Sequence, residues 1–178
     1  MHKLILCLGF VWAGLWGHAQ QIDSEESSIQ FEIGGIGWST VEGNFKGMTG
    51  TVELTDKVVG SSFNVCIKPS TVFTDNEERD EHLQNEDFFN VSKYVNVCFK
   101  SSSVTKKGNE FVVKGNLTIL NVTKEISFPF TVSEKEGKKI LQGSFELNRF
   151  DYGLAEDSYS STIMVDDIAE VNVICVLK

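Results

Sequence analysis

The chain has 178 residues, 41% of them hydrophobic and 23% charged, with 16 Lys+Arg against 25 Asp+Glu and a formal net charge of −9. Such a length holds one ordinary domain with room for a short leader, and the balance is that of a folded chain rather than a disordered one. The acid excess excludes a binder of phosphate backbones, which needs clustered Lys and Arg, and 2 Pro with 15 Gly exclude collagen-like and Pro-rich chains.

The first element is a leader. Lys3 precedes an almost unbroken apolar run over residues 4–15, and Gly17-His18-Ala19 supplies small residues at −3 and −1 of a cleavage site. The run is short for a bilayer span, which needs about 20 residues. Residues 1–19 therefore read as a signal peptide and Gln20 as the mature start. No later stretch is apolar enough to be an integral membrane segment. Loss of Lys3 makes the exported chain more acidic still.

Period-two alternation follows. Ile29, Phe31 and Ile33 alternate with Ser28, Gln30 and Glu32. Val41, Gly43 and Phe45 come next, continued by Val52 and Leu54 after Gly50. Then come Phe63, Val65 and Ile67; Val95, Val97 and Phe99; Val113, Gly115, Leu117 and Ile119; Ile126, Phe128, Phe130 and Val132; Phe145 and Leu147; and Val171, Val173, Cys175 and Leu177. This predicts eight strands. Lys107-Gly108-Asn109 and Glu136-Gly137-Lys138 mark hairpin turns. Between the third and fourth strands, residues 74–83 are polar and suit a short helix, capped by Thr74 or Asp75. Leu83, Phe88 and Phe89 belong to this insertion, as a cover for one end of the core or a lid over a guest. Residues 151–167 read as a long polar loop.

Antiparallel strands with one apolar phase either stack as two sheets or close on themselves. Short hairpin connections favour closure. The 13 Phe, against 3 Trp and 3 Tyr, are ring surface without a polar handle, and they fall on many strands in the apolar phase. The expected fold is all-β: an eight-stranded antiparallel lipocalin-like barrel with one short helical insertion. Its lumen either fills itself or holds an apolar guest.

At this point the chain resembles a family. Ser28-Ile29-Gln30-Phe31, Val41-Glu42-Gly43-Asn44-Phe45, Arg79-Asp80-Glu81-His82-Leu83 with Asp87-Phe88-Phe89, and Lys93-Tyr94 occur in order. Gly115-Asn116-Leu117-Thr118 and Asn148-Arg149-Phe150-Asp151-Tyr152 complete the set. Together they are similar to the YceI-like family of exported bacterial proteins, over residues 22–177. Ser27 and Gly35 stand where that family usually carries His, which bears on polar contacts at a pocket mouth. The resemblance implies a periplasmic or secreted, non-enzymatic protein, monomer or dimer, with residues 20–178 as one lipid-binding barrel domain. The guest it implies is an isoprenoid lipid or the tail of a quinone, with no cofactor and no metal.

The side chains expected to touch that guest are Phe31, Ile33, Phe45, Phe63, Val65, Ile67 and, on the insertion, Leu83, Phe88 and Phe89. Val97, Phe99, Leu117, Ile119, Phe128, Phe130, Phe145, Leu147, Val171 and Val173 complete the lining.

An enzyme acting on a lipid-like substrate is the alternative, and so is an interaction protein with a self-filled core. With the leader removed, His82 is the sole histidine, and no Gly-x-Ser-x-Gly motif accompanies it. It reads as a structural residue fixing the helix to the rim. Arg79 with Asp80, and Arg149 with Asp151, read as ion pairs. Cys66 and Cys98 share a phase on neighbouring strands, which leaves a bridge open. With Cys175, three small buried hydrophobes is the simpler expectation.

Overall fold

Among the described residues, the alternating segments pair into a ten-stranded antiparallel sheet that curls around one apolar face. The computed structural model describes residues 20–35, 39–55, 58, 60–108, 110–155 and 165–178. The strands are β1 (Gln20–Gln21), β2 (Ser28–Gly35), β3 (Thr40–Lys46), β4 (Thr49–Glu53) and β5 (Ser62–Ile67), then β6 (Val97–Lys107), β7 (Glu110–Ile119), β8 (Val122–Lys135), β9 (Lys138–Asn148) and β10 (Val165–Leu177). Their hydrogen-bonded order is β1-β4-β5-β6-β7-β8-β9-β10-β2-β3. The expected leader, residues 1–19, lies outside the described residues.

Ten strands replace the expected eight for two local reasons. Gly47, with φ +73°, breaks the run from residue 41 to 54 into β3 and β4. Gln20 and Gln21 add a two-residue strand against Val52 and Thr51. The helix α1 (Glu77–Gln84) consequently lies between the fifth and sixth strands, not the third and fourth. Its cap is Asn76, whose side chain accepts from the Arg79 amide at 2.9 Å, and not Thr74 or Asp75. The expected fourth strand also starts later: Val95 is exposed and β6 begins at Val97.

Tight turns carry the meander. Leu120-Asn121 and Glu136-Gly137 take positive φ at both positions, the backbone that matches strand twist in two-residue hairpins. Each end of the sheet is tied down by a separate set of contacts. Residues 20–23 reach from β4 to β10: Ile22 bridges Leu177, and the Asp23 amide donates to the Val176 carbonyl at 2.8 Å. At the other edge, Asn44 of β3 exchanges backbone hydrogen bonds with Phe73, at 2.9 and 3.0 Å. Ser27 sits at the β10 end, fully buried, its hydroxyl accepting from the Val176 amide at 2.9 Å. It is not a pocket-mouth position.

Cys66 and Cys98 are directly opposed on β5 and β6 and form a disulfide; Cys175 is free and buried. Three small hydrophobes are therefore not what the cysteines are. Alternation places residues 66 and 98 in one phase, and antiparallel register then sets them side by side.

Candidate binding cavity

The curled sheet and α1 surround a cavity of about 600 Å³, within the usual range for a site that buries a small-molecule guest. Its walls follow the alternation. β2 and β3 contribute Phe31, Ile33 and Phe45; β5 contributes Phe63, Val65 and Ile67; β6 and β7 contribute Val97, Phe99, Leu117 and Ile119. Phe128 and Phe130 come from β8, Phe145 and Leu147 from β9, and Val171 and Val173 from β10. Leu83, Phe88 and Phe89 reach the same cavity from α1 and the turn after it.

So many rings could fill such a space, yet it stays open. One reason is that several lie down on glycines. The Phe31 ring occupies the place of a Cβ on Gly43, Phe99 approaches Gly115, and Phe128 lies against Gly143. The rings also gather against one another at the wall. Phe128 meets Phe145 at 4.9 Å and Phe99 at 5.7 Å between centroids, and Phe45 takes Phe89 edge-on at 5.4 Å.

The expected lining lacks Ile29, Val41, Met48, Cys66, Val113, Ile126, Leu141, Leu154, Val165, Ala169 and Cys175. Ile29, Val41, Val113, Ile126 and Cys175 stand in the alternation; Met48 follows the Gly47 break and has no periodic signal. The polar side chains bordering the space are Asn76, Glu78, Arg79 and His82 around α1, and Arg149.

The groups around α1 are fixed by Thr74, which is 5% exposed. The Asp80 carboxylate accepts from the Thr74 amide and hydroxyl, at 2.9 and 2.6 Å. Arg79 donates from Nε to the Thr74 hydroxyl at 2.8 Å and from Nη2 to its carbonyl at 2.7 Å. Arg79 and Asp80 thus meet through Thr74 and not as the expected ion pair. His82 sets its ring edge-to-face against Phe88, with centroids 5.2 Å apart.

Arg149 is 4% exposed and donates to two backbone carbonyls, Asp166 at 3.0 Å and Leu154 at 3.1 Å. Burial lowers its pKa, opposed by the Asp167 carboxylate 3.9 Å away. Asp151, its expected partner, instead takes Lys124 at 2.6 Å. The segment read as a polar loop opens with a buried turn: Tyr152, Leu154 and Ala155 are all inside, and Ala155 donates its amide to the Asp87 carbonyl at 2.9 Å. Burial first, and the Asp151 charge second, push the Tyr152 hydroxyl up to about 12. Residues 156–164 of that segment lie outside the described residues.

The comparisons agree with this architecture. The family model of the YceI-like domain matches residues 20–177. Protein YceI of Salmonella agona is 37% identical over 130 residues, 67% of this chain and 68% of its own. Other relatives of that name, 35% identical, are matched over 60% of their length. Among solved structures, Burkholderia cenocepacia BcnA superposes with a TM-score of 0.80 at 19% identity, covering 88% of this chain and 99% of that one. A polyisoprenoid binding domain from Saccharophagus degradans superposes with a TM-score of 0.72 at 13% identity, covering 90% and 98%.

Proposed function

Because the chain belongs to the YceI-like family, we propose that its cavity holds an isoprenoid lipid, a polyprenyl chain or the tail of a quinone, as an exported binding protein and not an enzyme. The single observation that carries this reading is the open cavity of about 600 Å³ with walls of Phe, Val, Ile and Leu. A core that filled itself would leave no such space. The likeness to a structure described as a polyisoprenoid binding domain supports the same guest chemistry.

The energetics suit it. Burying about 200 Å² of a guest's apolar surface gains about 5 kcal/mol at 25 cal/mol per Å², before ordering costs. No catalytic group is needed for that gain. The polar side chains cluster around α1 and at Arg149, where they orient a head group while the walls take the tail. His82, packed on Phe88, then acts as part of the cover. The signal-like residues 1–19 support a periplasmic or secreted site of action, where such a protein carries, stores or sequesters its lipid.

Organic-solvent extraction of protein purified from its native host, followed by mass spectrometry, tests the reading. A prenylated lipid in near-equal amount to protein is expected. Recovery of no apolar molecule, together with no uptake of added ubiquinone, overturns it.

A further inference from the structure

The Cys66–Cys98 disulfide sits in the cavity wall, on the strand phase opposite to the side chains that form most of the lining. Its flanking register pairs, Val65 with Phe99 and Ile67 with Val97, line the cavity. Alternation turns the pair between them to the outer face, although Cys66 also borders the cavity. Across the sheet the same row reads Thr49, Cys66, Cys98, Thr118 and Thr123. Along the two strands the outward neighbours are Asn64, Lys68, Asn96 and Lys100. No large apolar side chain stands in that ring of neighbours, and both cysteines are half-buried, not buried. Cys175 differs: burial pushes its thiol up to about 12, against a hydrogen bond with Ser27, which leaves it inert toward exchange.

The cross-link also has a particular place in the topology. β5 and β6 share register pairs at residues 64–67 only, fewer than β4 shares with β5 or β6 with β7. The connection between them, residues 68–96, carries Thr74, α1, Phe88 and Phe89, and with them the part of the cavity's cover that lies between β5 and β6. The disulfide ties together the two roots of that cover, across a sequence separation of 32. Without it, the roots are held by one short ladder and the Phe63 amide's bond to the Ser101 hydroxyl, the cover's first half by the contacts of Thr71 and Phe73 with β3, and its second half by the Ala155 amide on the Asp87 carbonyl.

We propose that Cys66–Cys98 is a thiol–disulfide exchange site for a dithiol reductant, and that its redox state sets how tightly residues 68–96 close over the cavity. One thiolate of the dithiol attacks a cysteine sulfur, the S–S bond breaks, and the released cysteine thiolate takes a proton. The second thiol of the reductant then resolves the mixed disulfide. The reductant leaves as a disulfide, having given two electrons and two protons, and Cys66 and Cys98 remain as thiols. Closing a loop of this length restrains the chain most when other contacts are released, so reduction loosens the cover before the sheet. The gating half of this proposal rests on the binding reading above; the exchange half does not.

The test uses the folded mature protein, dithiothreitol as reductant and the neutral fluorophore N-phenyl-1-naphthylamine as cavity probe. Thiol titration without denaturant is expected to find two new thiols after reduction. Amide exchange in residues 68–96 should then rise at least tenfold with β7–β10 unchanged, and probe release should speed up at least fivefold. Reoxidation restores both, and the Cys66→Ala, Cys98→Ala double variant behaves as reduced protein and ignores the reductant. A disulfide that opens only on unfolding overturns the exchange site. Equal exchange in residues 68–96 in both redox states overturns the gate. A probe that binds neither state counts against the binding reading, while thiol titration and amide exchange still decide this one.

Discussion

Phe31 and Gly43 are register partners on β2 and β3, and the ring of Phe31 lies where a Cβ on residue 43 would stand. The Thr74 methyl closes the same spot from the cover, 2.8 Å from that Cβ position. Ring, strand and cover therefore share one site that only glycine leaves open. Gly43→Ala must push the ring into the lumen or the cover outward. The expected cost is about 1–3 kcal/mol, the usual penalty for overpacking, with weaker uptake of an apolar fluorophore. Denaturant melts and probe titration read both; an unchanged midpoint shows that the ring moves freely.

Most of this wall was legible in the sequence, because alternation with period two and a Phe on many strands fixes which side chains face inward. The positions hidden from that reasoning have identifiable physics. Gly47 breaks a run that alternation alone joins, and the two-residue strand at Gln20–Gln21 is too short to alternate, so strand count and helix position both differ from expectation. Asp151 lies close to Arg149 in sequence, yet the 3-10 turn at Arg149–Tyr152 points the guanidinium at the Asp166 and Leu154 carbonyls instead. The openness of the lumen depends on rings lying over glycines, which is a matter of χ angles and not of residue type.

Thr74 fastens the cover, and its removal should be felt there and not globally. Asp80→Ala takes away the acceptor for a nearly buried amide and hydroxyl. Leaving such donors unpaired costs about 1–3 kcal/mol. Hydrogen exchange is expected to rise over residues 74–84, while the main unfolding transition moves little. Asp80→Asn keeps an acceptor and should recover part of the protection. A single shift of the whole unfolding curve, with no local change, argues that the network belongs to the global core.

Acid should unfasten the segment that joins β4 to β10. Lys138 donates to Glu26 at 2.7 Å and to Asp23 at 3.0 Å. The Lys138 ammonium holds the Asp23 carboxyl below its usual value, with burial opposing; Glu26 first, and Asp23 second, hold the Lys138 ammonium above its own. A lowered acid contributes stability above its unfolded value of about 3.9, and loses it as pH falls through the folded value. A raised lysine contributes below about 10.4, and loses it as pH rises through the folded value. Between about pH 4 and 10 the cluster is intact. Thermal melts of wild type and Lys138→Met from pH 3 to 7 should converge at the acid end. A constant difference across that range shows that the pairing adds nothing to Asp23.

Ala169 separates an open lumen from a filled core. It lines the cavity from β10, is 9% exposed, and stands beside Leu147 and Ile33 in the sheet register. In a filled core, Ala169→Trp forces neighbours off their rotamers and costs about 1–3 kcal/mol or more. In a cavity of about 600 Å³ the indole has room, and its burial offsets its ordering. The expected variant therefore melts close to wild type but no longer takes up ubiquinone, because the indole occupies the guest's volume. Loss of stability with binding retained would mean that the guest lies elsewhere and that this wall is core.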